Sequence, residues 1–193
     1  MNAYLIAVDD SGIMASDEIK NKLGLVHVYT GNGKGKTTAA LGLSLRAAGC
    51  GLSVCMVQFM KPDQGSGEYV MSKEIKNFTL VPCGPANLAD PDNITEEDRT
   101  AAKKALDAVK ELLYSGKYDL FIIDEINVAM GWKLVDADEV IGILKKRPDN
   151  TEVVLTGRYA PDKIVEYADL VTEMREIKHP YSKGIGSRKG IEF

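Results

Sequence analysis

The segment from Leu25 to Gly49 constrains the fold more than any other part of the chain. It reads LVHVYT, then GNGKGK, then TTAALGLSLRAAG. An apolar β-rich run leads into a glycine-rich loop, and the loop opens a helix that closes on glycine. Strand, loop and helix in that order are the setting in which backbone N–H groups converge on phosphate oxygens. Gly31, Gly33 and Gly35 free the backbone to curl, and the helix start adds partial positive charge. Lys36 supplies a full charge, the Thr37 hydroxyl is placed for Mg²⁺, and Lys34 offers a second phosphate contact. One departure stands out. The usual spacing, G-x-x-x-x-G-K-T, asks for glycine at position 30, where this chain has Thr30.

Beyond the loop, short apolar runs alternate with helical stretches. Strands are expected at Ser53 to Phe59, Phe78 to Pro82, Asp119 to Asp124, Thr151 to Gly157 and Asp169 to Met174. A short helix is expected between the second and third strands. Thr95 caps a helix reaching about Ser115, with acids in its first turn and Ala102, Leu106, Val109 and Leu113 on one face. Further helices are expected over Asp136 to Arg147 and Pro161 to Ala168. Continuous apolar strands separated by helices imply an α/β fold, a mostly parallel sheet with helices on both faces. Such sheets bind ligands at the carboxyl ends of their strands. DLFIIDE then becomes the second half of the site, delivering Asp124 and Glu125 to that edge as carboxylates for Mg²⁺.

Composition sets the outer limits. The 193 residues carry a net charge of −4, which disfavours general nucleic-acid binding. Three cysteines, Cys50, Cys55 and Cys83, form neither a disulfide framework nor a zinc pattern. We expect them to act as small buried hydrophobes. No apolar stretch is long enough to span a bilayer, and the opening MNAYLIAVDD lacks a signal-peptide layout. The reading is a cytoplasmic protein with neither nucleic-acid nor membrane partners.

Taken together, TGNGKGKTTAALG, VQFMK (Val57 to Lys61), Gly67-Glu68, FIIDEIN, LTGR (Leu155 to Arg158) and the closing KHPYSKGIGSRKGIEF resemble the P-loop ATP:corrinoid adenosyltransferases, over roughly residues 24 to 193. The resemblance implies a RecA-like P-loop fold for residues 25–193 and a homodimer. It implies ATP lying reversed in the loop, in keeping with the shortened spacing. The ATP contacts it implies are Gly31, Asn32, Gly33, Lys34, Gly35, Lys36, Thr37 and Thr38, with Arg46 a weaker candidate. Arg158, at a strand end, is added as the outlying cation most favourably placed for the triphosphate. Thr37, Asp124 and Glu125 would serve Mg²⁺, and Lys36, Thr37 and Glu125 would carry the catalytic roles. The substrates would be ATP and a reduced corrinoid, with a flavodoxin or other flavoprotein as electron donor. Residues 1–24 would be an appendage that closes over the site as a lid. The family's aromatic pair after the third strand has no counterpart in CGPANLADPDNITEED, so corrinoid contacts are not carried over.

The family's reaction is attack of Co(I) on the 5′-carbon of ATP, with triphosphate leaving. It needs no general base, and the chain has only two histidines, with no Ser-His-Asp or Cys-His arrangement. A P-loop kinase or NTPase, cutting between phosphates, is the competing reading; a nucleotide sensor or corrinoid-delivery module is a third. Other residues are weighed as follows. His27 reads as a core or half-buried residue, and His179 as docking the closing segment or contacting a ligand. Trp132 belongs to core or pocket, and Met56, Met60 and Met71 to packing. Arg175, Lys183, Arg188 and Lys189 read as solvated surface.

Overall fold

The computed structural model describes residues 17–61, 66–84 and 92–192. Its elements follow in order α1 (Asp17–Lys20), β1 (Val26–Thr30), α2 (Lys36–Gly49), β2 (Val54–Phe59), α3 (Gly67–Ser72), β3 (Phe78–Cys83), α4 (Glu96–Tyr114) and β4 (Leu120–Asp124). They continue with α5 (Ile126–Gly131), α6 (Ala137–Leu144), β5 (Glu152–Thr156), α7 (Asp162–Tyr167), β6 (Leu170–Glu173) and a 3₁₀ turn, Pro180–Lys183. The six strands form one sheet in the order β3-β2-β4-β5-β1-β6. Every pairing is parallel.

The alternation of side chains along the central strands explains the two apolar layers. Cys55, Val57 and Phe59 of β2, with Phe121 and Ile123 of β4, face α4 to α7. Val54, Met56, Leu120 and Ile122 point the other way, onto Ala40 and Ala47 of α2. Phe59, Phe121 and Met56 are fully enclosed, each worth roughly 1.5–3 kcal/mol of burial. Since both faces of β2 and β4 are covered, these central strands show no polar alternation, and Gln58 and Asp124 are polar only towards their carboxyl ends.

Helix ends are written locally. Thr95 closes α4 with a capping box: its hydroxyl accepts from Asp98 N–H at 3.2 Å and the Asp98 carboxylate accepts from Thr95 N–H at 2.8 Å. Thr95→Ala should cost about 1 kcal/mol. In a domain of this size that lowers the melting temperature by roughly 2–4 °C, measurable by thermal denaturation. Asp136 caps α6 in a similar way, accepting from the N–H groups of Asp138 and Glu139.

The chain enters β1 at the edge where the strands start. Lys20 Nζ lies 3.3 Å from Asp119 Oδ1. The Glu152 carboxylate accepts the N–H groups of Gly24 and Leu25, both at 2.8 Å, and takes His27 Nε2 at 2.7 Å. Burial works to raise the Glu152 pKa, but the bond from His27 and those from the two N–H groups outweigh it and hold it low. His27 is thus a half-buried structural residue, as expected. Residues 17–24 sit at the edge opposite the glycine loop, whereas residues 1–16, the greater part of the expected lid, lie outside the described residues.

The cysteine expectation is met only at Cys55, which is fully enclosed and whose thiol is pushed up to about 12 by burial and by Cys83. Cys50 and Cys83 are half-buried, because each lies at the end of its element, α2 and β3 respectively. Met56 packs as expected, but Met71 is 55% exposed because it borders an open cavity rather than the core. Trp132, just after α5, is half-buried.

Candidate nucleotide site

The glycine loop joins the carboxyl end of β1 to α2. Gly31 and Gly35 adopt φ of 94° and 119°, conformations that side chains disfavour. Gly33 is required for another reason. Its N–H donates to the Met174 carbonyl at 2.6 Å, and a Cβ there would sit 2.7 Å from that oxygen and 2.8 Å from the Arg175 carbonyl. The backbone after β6 is therefore pressed against the loop. Gly33→Ala should cost about 1–3 kcal/mol through this overlap and weaken nucleotide binding, as read by a melt and an ATP titration.

The start of α2 differs from those of α4 and α6. It has no side-chain cap and no acidic residue in its first turn. Its first N–H groups and its positive dipole end are left for a ligand. Lys36 is 8% exposed and folds inward, donating to the carbonyls of Gly31 and Gly33, both at 2.7 Å. Burial, the main influence, lowers its pKa.

Asp124, at the carboxyl end of β4, is fully buried and receives four donors. Thr37 Oγ1 donates to Oδ1 at 2.8 Å and Thr156 Oγ1 at 2.6 Å. Gln58 Nε2 donates to Oδ2 at 3.1 Å, and Lys61 Nζ lies 3.0 Å from the same oxygen. Burial would lower the Lys61 pKa, but the Asp124 charge and hydrogen bond more than compensate, and Glu68, 3.4 Å away, adds to the rise. Glu125 follows with φ of 62°, its N–H donating to Thr156 Oγ1 at 3.1 Å. Burial, then the Asp124 charge, raises the Glu125 pKa. Thr37, Asp124 and Glu125 together form an all-oxygen donor set suited to a hard cation. The Lys61 ammonium beside Asp124 shows that this carboxylate accommodates positive charge.

A cavity of about 590 Å³ opens between α2 and α3, within the range of small-molecule sites. Its polar end carries Thr37, Thr38, Lys61, Glu68 and Glu125; its apolar wall comes from Leu41, Leu45, Met71, Ile75 and Phe78. The sequence-derived residues divide accordingly. Gly31 to Thr38, Asp124 and Glu125 gather at one edge. Arg158 is exposed after β5, and its charge acts on both Lys36 and Glu125. Arg46 does not join them: it lies in the last turn of α2, roughly 15 Å along the axis from Lys36 at 1.5 Å per residue. His179 Nδ1 accepts from Tyr181 N–H at 3.2 Å, capping the 3₁₀ turn, and so serves the closing segment.

The model of the family ATP:corrinoid adenosyltransferase BtuR/CobO/CobP matches residues 22–193. The chain belongs to this adenosyltransferase family. It is 39% identical over 175 residues to a corrinoid adenosyltransferase of Sinorhizobium sp, covering 88% of this chain and 80% of that protein. It is 33% identical to the corrinoid adenosyltransferase of Escherichia coli (strain K12), over 91% of this chain and 89% of the relative. The corrinoid adenosyltransferase of Pseudomonas aeruginosa is also 33% identical, over 96% and 90% of the two chains. Membership makes the protein a transferase and sets aside the kinase and NTPase reading.

Sequence reasoning assigned no role to Gln58, Lys61, Glu68 or Thr156 of this adenosyltransferase. VQFMK and Gly67-Glu68 were visible as motifs, but nothing in their spacing told that they close on Asp124. That convergence depends on β2 and β5 flanking β4.

Proposed function

We propose that the protein transfers the 5′-deoxyadenosyl group of ATP to the Co(I) centre of a corrinoid, cobalamin or a cobyrinic acid a,c-diamide type, and releases inorganic triphosphate. The observation that carries the reading is an uncapped helix start whose Thr37 and Thr38 line, with Lys61, Glu68 and Glu125, the polar end of a cavity with an apolar far wall, while Lys36 and Asp124 lie buried just behind them. The substrate Co(I) brings the electron pair that forms the bond to C5′. The C5′–O bond breaks, its electrons pass to the triphosphate, and no proton is moved. The charge thus develops on the leaving group, where loop N–H groups and Lys36 stabilise it. Fixing C5′ in line with cobalt lowers the barrier further. Thr37, Asp124 and Glu125 would hold Mg²⁺, which when bound neutralises triphosphate charge as a Lewis acid. Asn32, Thr38 and Arg158 complete the proposed ATP contacts.

The wider setting follows from the same chemistry. A flavodoxin or other flavoprotein is the proposed electron donor, a homodimer the proposed assembly and the cytoplasm the proposed compartment, in biosynthesis or salvage of adenosylated corrinoid. Among the described residues, no helix is long and apolar enough to cross a membrane. Residues 1–24 are proposed as an N-terminal appendage or lid over bound corrinoid.

The deciding experiment combines the purified protein with ATP, Mg²⁺ and chemically reduced cobalamin. The absorbance of a cobalt–carbon bond should appear with one equivalent of triphosphate. Formation of ADP or free phosphate instead would restore the kinase or NTPase reading. Tight ATP binding without turnover would point to a sensor or delivery module.

A further inference from the structure

The two lysines of the glycine loop have separate tasks. Lys36 is turned into the loop, whereas the Lys34 side chain is 43% exposed and reaches outward to the segment that follows the 3₁₀ turn. Lys34 Nζ donates to the Ile191 carbonyl at 3.1 Å and to Glu192 Oε1 at 2.8 Å. Residues 188–192 form a closed turn. The N–H groups of Ile191 and Glu192 both donate to the Arg188 carbonyl, at 3.1 and 2.9 Å. The Glu192 carboxylate accepts in return from Arg188 N–H at 2.7 Å, Nε at 3.2 Å and Nη2 at 3.0 Å. Gly190, Ile191 and Glu192 of this turn line the same cavity as Thr37, Thr38 and Glu68.

We infer that Lys34 is a positioning residue that fastens segment 188–192 across the mouth of the nucleotide cavity, and that it does not itself hold phosphate. Its charge is met by a carboxylate at 2.8 Å, so it has little left to offer a second anion. That carboxylate is held well below its usual range, first by Arg188 and then by Lys34. The strap contributes a wall, including the Ile191 side chain, and its position sets how tightly ATP is enclosed. The inference rests on the cavity being the ATP site, as proposed above.

The test is a double-mutant cycle in the full chain with Lys34→Met and Glu192→Gln, read by amide hydrogen exchange over 188–192 and by steady-state kinetics with ATP. Each single change should speed exchange of the segment about two- to fivefold, the worth of one exposed ion pair. Each should raise the KM for ATP by a similar factor, the change falling on KM rather than kcat. The double variant should fall clearly short of the product of the two single effects, because both changes release the Lys34–Glu192 contact, even though Lys34→Met also removes the bond to Ile191 and Glu192→Gln also weakens those from Arg188. Two results would overturn the inference: Lys34→Met lowering kcat tenfold with exchange unaltered, or the two KM effects multiplying in the double variant. If the unaltered protein forms no adenosylcorrinoid, the proposed function falls, while the exchange cycle still decides whether Lys34 holds the strap.

Discussion

Replacing Lys36 by alanine should lower turnover by roughly 10² to 10³, the usual cost of removing one preorganised electrostatic donor from a site of developing charge. The effect should fall on kcat more than on KM. In the structure Lys36 Nζ is bound to the carbonyls of Gly31 and Gly33. It must leave or share those bonds as charge builds on the triphosphate, so its gain is larger in the transition state than in the ground state. Structural cost is a separate matter: the Gly33 carbonyl that loses the ammonium is buried, and an unmet buried acceptor costs about 1–3 kcal/mol. A lowered but still cooperative melting transition is therefore expected alongside the kinetic loss. Near-normal turnover by such a folded variant would remove Lys36 from the mechanism.

Asp124→Asn should be damaging in two ways. The amide preserves the shape, but whichever way it turns, its NH2 end faces two of the four groups that now donate to the carboxylate. It also removes the charge that Lys61 faces. Breaking one side of a buried pair costs about 3 kcal/mol, which in a domain of this size is roughly 6–12 °C in melting temperature. Turnover should fall at least 10²-fold, because Thr37 loses the carboxylate that orients its hydroxyl. A calorimetric scan separates the two losses. A variant with unchanged stability would mean that the Asp124 network contributes little to the fold. Unchanged stability with unchanged activity would remove Asp124 from the site as well.

The strands were legible because a doubly covered parallel sheet demands unbroken apolar runs, and LVHVYT, SVCMVQF and DLFIID have no other soluble use. Observed boundaries fall within a residue or so of those read from the sequence. Helix α5 was not foreseen. In LFIIDEINVAM the apolar character runs from β4 into α5, and only the left-handed turn at Glu125 separates them. Hydrophobic pattern alone gives no warning of such a turn. Within the site, Lys36, Thr37 and Asp124 could be read from local context. Gln58, Lys61, Glu68 and Thr156 could not, since their meeting is a property of strand order. Arg46 lies apart from the loop for the opposite reason. It is close to the loop along the chain, but a rigid helix carries it away.

The position of β5 has a consequence for how the site could be altered. Because β5 lies between β1 and β4, the loop and Asp124 start two strand spacings apart, roughly 10 Å at 4.8 Å each. Thr156 fills that gap, giving its hydroxyl proton to Asp124 and accepting the N–H of Glu125. β5 thus acts as a spacer whose width fixes the bite between the anion-holding and acid-bearing halves. A change at the end of this strand, Thr156→Val for example, would alter that bite by releasing both acidic residues at once, while leaving every candidate ATP-contacting side chain intact.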